Sequence, residues 1–313
     1  MTSSICCIYH KGCADGFAAA MVVRRALGAG VEFIPAAYGE APPDVTGRDV
    51  IMVDFSYKRP VIDAMAEAAR TMLILDHHKT AAEELKGITF PYVMSGWDEH
   101  MESVHNAFHV LDRDPRAPFA IFDMARSGAQ IAWDFFMPFA PKRPKLIDYV
   151  GDRDLWRFEL PKSREISAWL FSYPQDFDLW SALAEELEIG RGWDRAVSVG
   201  EAIERKHHRD VASVVRNTRR EMLIGGQHVP VANVPHFMAS DAGHLMAEGH
   251  PFSASYYDRP DARVFSLRSR EGGADVAEIA AQYGGGGHKH ASGFQAAPGW
   301  EGDESPLSFK SRR

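Results

Sequence analysis

The chain is expected to be an α/β protein: an N-terminal domain built on a parallel sheet and a smaller C-terminal α/β domain, joined by a long helix. Two observations carry that expectation. Short, continuous apolar runs at Ser4 to Tyr9, Val31 to Ala36, Val50 to Val53 and Met72 to Leu75 alternate with helical stretches, as strands buried on both faces of a parallel sheet do. A long charged helical stretch, Trp193 to Arg220, is then followed by a strand-rich region. For 313 residues the length prior is roughly two domains. The expected division is a domain over 1–192, a connector helix over 193–220 and a second domain over 221–313.

The first strand ends at His10, where Gly12 and Gly16 mark a tight turn and the Ala-rich run Phe17 to Leu27 reads as a helix. The third strand delivers Asp54, and Pro60 opens the next helix. Met72 to Lys79, MLILDHHK, runs four apolar residues into Asp76, His77 and His78. The polar stretch Ser95 to Pro118 reads as a solvated excursion, and within it His105 and His109 have the i, i+4 spacing of a zinc pair. Ala120 to Phe122 is expected to be a strand and Gly128 to Phe136 a helix. In KLIDYVGDRDLWRF (145–158) a helix is expected to close at Gly151, with Asp152 and Asp154 beyond it; Asp152 is the acid chosen for the site. Trp169, Phe171, Phe177 and Trp180 read as core. In the second domain, strands are expected at His228 to Val234, Phe252 to Asp258 and Arg263 to Ser269, with helices at Asp241 to Glu248 and Val276 to Tyr283. The tail from Gly302 to Arg313 is expected to fray.

Composition narrows the classes. Hydrophobic content of 45% and charged content of 25% are globular values, and no apolar run approaches a bilayer span. No membrane association and a cytoplasmic location are expected. Cys6, Cys7 and Cys13 all lie near the start, too close together to staple a fold. A net charge of −8 argues against coating long duplex nucleic acid, which needs phosphate neutralisation, but leaves room for a short anionic substrate.

Chemistry concentrates at strand ends: His10 with Asp15, Asp54, Asp76 with His77 and His78, and Asp152. On parallel strands these groups converge on one sheet edge, where open α/β folds bind ligands. Carboxylates and imidazoles gathered without matching cations repel unless metal ions neutralise them, and an oxygen and imidazole donor set suits manganese. Two such ions, roughly 3.5 to 4 Å apart, can support in-line phosphoryl displacement. A second cluster, GGGGHKHASGF (284–294), reads as a backbone-amide nest for phosphate, ringed by His288, Lys289, His290 and Ser292 and joined by Arg268. It lacks the Lys-Ser or Lys-Thr of a Walker A loop.

On HKGCADG, VDFS, LDHHK, GDRD and GGGGHKHASG, in this order over nearly the whole chain, the sequence resembles the DHH phosphoesterases with a DHH-associated C-terminal domain. The resemblance implies manganese ligation by His10, Asp15, Asp54, His77 and Asp152, with Asp54 bridging two ions. It also implies that Asp76 supports the site and that His78 contacts the scissile phosphate. Gly285, Gly286, Gly287 and His288 would bind substrate phosphate, with Arg268 nearby. Cys13 stands where members usually carry a second acid two positions before Asp15. If it occupies that ligand position, the ion beside His10 is held more weakly, because thiols are softer donors.

The expected protein is a phosphoesterase using one or two Mn2+ ions, with Mg2+ as substitute, in a cleft between the domains. The resemblance implies action on short oligonucleotides as a 3′ to 5′ exonuclease or on 3′-phosphoadenosine 5′-phosphate. Polyphosphate and cyclic dinucleotides are the alternative substrates, and a nucleotide sensor whose catalysis lapsed through Cys13 is the non-enzymatic alternative. A homodimer is compatible with this reading.

Overall fold

The computed structural model describes residues 4–88 and 118–303. The chain forms two compact units, residues 1–204 and 205–313.

The N-terminal unit is built on a five-stranded, all-parallel sheet: β1 (Ile5–His10), β2 (Glu32–Ala36), β3 (Asp49–Val53), β4 (Thr71–Asp76) and β5 (Phe119–Phe122), in the order β2-β1-β3-β4-β5. Helices α1 (Ala14–Leu27), α2 (Arg59–Ala68), α3 (Lys79–Glu84), α4 (Gly128–Phe136) and α5 (Lys145–Asp154) follow, among others. Every residue of β3 and β4 is buried, which accounts for their unbroken apolar character. Alternate side chains feed two cores. Cys7, Ile51, Val53, Leu73 and Leu75 pack on one face with α1, α4 and α5, and Cys6, Ile8, Val50, Met52, Met72 and Ile74 pack on the other with α2.

This strand order reverses direction between β1 and β3, which makes their carboxyl ends the switch point where such sheets open a ligand crevice. Register aligns the site across it. Tyr9 lies opposite Val53 and Val53 opposite Leu75, so His10, Asp54 and Asp76, each one residue further on, form a row along the carboxyl edge.

Three details differ from the expectation. Helix α5 does not stop at Gly151; it runs through Asp152 to Asp154. Gly151 is there for close packing, since a Cβ would meet the Gln130 side chain at 2.7 Å. Trp169 and Trp180 are core, but Phe171, at a helix end, is 46% exposed. The long helix spans Gly190–Thr218, and the division between the units falls inside it; Arg220 already belongs to a strand.

The C-terminal unit carries a mixed six-stranded sheet, β6 (Arg220–Ile224), β7 (Gln227–Asn233), β8 (Ser253–Asp258), β9 (Arg263–Arg268), β10 (Gly286–His288) and β11 (Ala291–Ala296), in the order β10-β11-β9-β8-β7-β6. Only β7 and β8 pair in parallel. Strands β6, β10 and β11 were not anticipated. The glycine run is not a loop of open amides: Gly284 and Gly285 donate their N–H groups to Ala281 and Ala280 (3.0 and 2.9 Å), closing the preceding helix, and Gly286 to His288 pair with β11 as an edge strand. Gly285 is required by close approach, because a Cβ there would meet the Gly293 carbonyl at 2.0 Å. His105 and His109 lie outside the described residues, as does the tail beyond Asp303.

Candidate metal centre

Asp54 is the middle of the edge row, fully buried, and has a left-handed backbone (φ +53°). A non-glycine residue held this way costs on the order of 1–3 kcal/mol and is characteristic of functional positions. The strained turn aims the two carboxylate oxygens at different partners: Oδ1 is 3.0 Å from His77 Nε2, and Oδ2 is 3.5 Å from His10 Nδ1. Two donor groups result, Asp15 with His77 and Asp154, and His10 with Asp54 and His78, each with its ligand atoms within 4.8 Å of one another. Asp54 belongs to one group and touches the other.

Asp15 is placed by helix α4. The amides of Gly128 and Ala129, at that helix's N-terminus, donate to its two oxygens (2.5 and 3.0 Å), where the helix dipole favours an anion. The approach needs Gly128, because a Cβ there would lie 2.5 Å from that of Asp54. Asp76 organises the turn after β4. Its Oδ1 accepts from the His77 amide (2.7 Å) and pairs with His78 Nδ1 (2.7 Å), and Ser56 donates to Oδ2 (3.4 Å).

The acids divide electrostatically. Burial pushes Asp15 upward and so do the Asp54 and Asp154 carboxylates; burial likewise raises Asp154, with Asp54 adding to it. For Asp54 burial is outweighed by His10, His77 and His78, which hold it well below the usual carboxylate range. Burial disfavours charge on His77, but Asp54, Asp154 and Asp15 push it up to about 10. His78 is raised in the same way, chiefly by Asp76.

Among the described residues, no lysine or arginine forms an ion pair with Asp15, Asp54, Asp76 or Asp154. Two like charges 4 Å apart repel by about 4 kcal/mol at an effective dielectric constant of 20. Several carboxylates here therefore need either protons or a cation. Among the described residues, His10 Nδ1 and Asp54 Oδ2 are both buried without a hydrogen bond, facing each other at 3.5 Å, a cost that a bound cation removes. Carboxylate oxygen with imidazole nitrogen fits a divalent ion such as manganese.

Asp152 is placed elsewhere. Its carboxylate accepts from the Glu159 and Leu160 amides (3.0 and 3.2 Å), organising the loop after α5. Asp154 Oδ2, 3.4 Å from His77 Nε2, stands in the donor group instead. The signal was available: once the helix continues, Asp154 shares a face with Ile147 and Gly151 at i, i+4 and i+7 spacing. Cys13 caps the start of α1 and is in neither group; burial and the Asp54, Asp154 and Asp15 carboxylates push its thiol well up, so it remains protonated and adds no negative charge. Two features had no sequence signal, the Gly128 and Ala129 amides and Tyr38, whose ring lies 5.5 Å from that of His10.

In the C-terminal unit, Arg268 donates to the Leu267 carbonyl and the Ser240 hydroxyl (2.8 and 2.9 Å), and the Ser292 hydroxyl donates to the His288 carbonyl (2.7 Å).

No protein-family model matches the chain. It is 29% identical over 315 residues to uncharacterized protein R106 of Acanthamoeba polyphaga mimivirus; the match covers 92% of this chain, which spans 66% of that protein. Similar solved structures include the DHH domain of a member of the s1p family of ribosomal proteins (TM-score 0.47, 13% identity, 92% of this chain and 82% of that one). RecJ from Thermus thermophilus, in complex with Mn2+, matches with TM-score 0.44 and 15% identity over 92% of this chain and 49% of that one. The pGpG-specific phosphodiesterase PggH from Vibrio cholerae matches with TM-score 0.42 and 13% identity over 94% of each chain.

Proposed function

We propose that this protein is a DHH-type phosphoesterase that uses one or two divalent ions, manganese foremost, to hydrolyse short nucleotides. The observation that carries the reading is Asp54, whose two oxygens serve two adjacent donor groups while no arginine or lysine among the described residues neutralises it. The motif resemblance supplies the reaction class.

In the proposed centre His77, Asp15, Asp154 and Asp54 would hold one ion, and Asp54 and His10 face the second position. Bound there, divalent ions supply charge against the transferring phosphoryl group and acidify water. The chain's own residues do the rest. Asp76 fixes the orientation of His78 and favours its protonated form, which presents a cation to a phosphate oxygen. The Gly128 and Ala129 amides keep Asp15 in place. In the reaction water adds to phosphorus, the ester P–O bond breaks, and the departing oxygen takes up a proton. Arg268, Gly285, Gly286, Gly287, His288 and Ser292 are assigned to substrate phosphate on the motif resemblance, with the glycines contributing a narrow strand edge instead of an open nest.

The test is hydrolysis by purified protein, with manganese, of a 5′-phosphorylated dinucleotide, 3′-phosphoadenosine 5′-phosphate, a cyclic dinucleotide and polyphosphate. Turnover of the dinucleotide that disappears with chelator is expected. Tight nucleotide binding without turnover of any of the four would make the protein a sensor.

A further inference from the structure

We infer that Tyr38 is the residue that selects a nucleotide, by stacking a base of the substrate against its ring. The inference rests on the proposed phosphoesterase reading and adds the feature that sets a nucleotide apart from polyphosphate.

Tyr38 follows β2 and so lies at the sheet's carboxyl edge with the candidate centre. Its ring centroid is 5.5 Å from that of His10 and 6.2 Å from that of His78, the two imidazoles that flank Asp54. Phe55, fully buried, backs it at 5.0 Å and is itself braced by Tyr57 at 4.9 Å. The turn that carries Tyr38 is pinned. Glu40 accepts from the Ala37 amide (3.1 Å) and from Lys11 Nζ (2.7 Å), and the Glu40 amide donates to the Ala37 carbonyl (3.1 Å). Despite these contacts Tyr38 remains 51% exposed.

An isolated exposed tyrosine needs no explanation. This one sits on a hydrogen-bonded turn, is backed by a buried aromatic wall, and is adjacent to His78, the side chain assigned to the scissile phosphate. A flat π surface one residue's reach from that phosphate suits a nucleobase, and stacking tolerates any base because each has a π face. Polyphosphate offers nothing to such a surface.

Binding of adenosine 5′-monophosphate and of ribose 5-phosphate, each with manganese, is measured by calorimetry for the wild type and for Tyr38→Ala, Tyr38→Phe and Tyr38→Trp. Wild type should prefer the nucleotide by roughly 5- to 100-fold. Tyr38→Ala should bring that ratio close to one, and Tyr38→Phe and Tyr38→Trp should retain it, since stacking does not need the hydroxyl. A merely structural role would weaken both ligands together and leave the ratio intact, which overturns the inference. A ratio lost equally in Tyr38→Phe also overturns it, because the phenol would then be the recognising group. A base-dependent ratio in a wild-type protein that hydrolyses no ester would sink the proposed function and uphold the stacking role; turnover of a dinucleotide with no preference for the base would do the reverse.

Discussion

Strand β3 carries a buried aspartate at each end, and the two are neutralised differently. At the amino edge Asp49 accepts from Arg70 Nε (2.9 Å) and from the Thr71 hydroxyl (2.7 Å). At the carboxyl edge the ion-pair partners of Asp54 among the described residues are imidazoles, with Asp15 and Asp154 close by. The C-terminal unit follows the first pattern: Arg263 takes both oxygens of Asp258 (2.6 and 3.0 Å) and also reaches Glu301 (2.7 Å). At Asp49 and Asp258 an arginine beside the acid completes the charge balance within the chain. At the carboxyl edge no lysine or arginine among the described residues completes that balance, which is the physical argument for a cation there.

Removing each acid of β3 is the sharpest way to break this comparison. Asp54→Ala should lower manganese-dependent turnover by at least about a thousandfold, roughly 4 kcal/mol of transition-state stabilisation, while the metal-free protein melts no lower. Asp49→Ala should do the opposite, losing about 1–3 kcal/mol of stability and keeping its manganese response. Turnover assays beside thermal melts decide the matter, and a folded, fully active Asp54→Ala protein would end the metal assignment.

The two acids of α5 give a second, smaller contrast. Asp154→Ala should weaken manganese roughly 10- to 100-fold, a loss of the size that disturbing a metal site commonly produces. Asp152→Ala should leave metal affinity near wild type and lower stability by about 1–3 kcal/mol, as the Glu159 and Leu160 amides lose their acceptor. The reverse result in metal titrations would return Asp152 to the centre.

Metal and pH should act together. At a hundred times its dissociation constant, manganese should stabilise the fold by about 2.7 kcal/mol, a gain absent from Asp54→Ala. His77 is pushed up to about 10 and so holds a proton at pH 7 in the metal-free protein, and Asp15 and Asp154 are raised in the same direction. Ligation by His77 must displace its proton. Binding at pH 7 should therefore release protons, and affinity should fall as pH drops from 8 to 6. Calorimetry in two buffers of different ionisation enthalpy reads the release directly; its absence would mean that these side chains are not the ligands.

Cys13→Asp is expected to have the smallest effect. It places an acid at a helix N-cap, which favours one, and adds a hard donor beside a cluster already rich in carboxylates. A second manganese should bind several-fold tighter, and the metal-free protein should melt lower. Titration and melting of the two forms check both, and unchanged manganese binding would show Cys13 to be packing only.

Local sequence determined the strands of the N-terminal sheet, the edge they share and most of the side chains on it. A run such as MLILD suits a central strand buried on both faces, and in parallel strands the polar residue at its end emerges at the carboxyl edge. His10, Asp54, Asp76, His77 and His78 were legible for that reason. Tertiary structure placed the two acids of α5, because the helix continues past Gly151 and brings Asp154 Oδ2 within 3.4 Å of His77 Nε2. It also decided the fate of the glycine run, where the close approach of Gly293 makes a hairpin strand of residues that favour loops in isolation. The amides that hold Asp15 and the ring of Tyr38 come from segments distant in sequence from the residues they meet. Contacts of that kind carry no local periodicity or propensity, so they are settled only once the sheet has set its strands side by side.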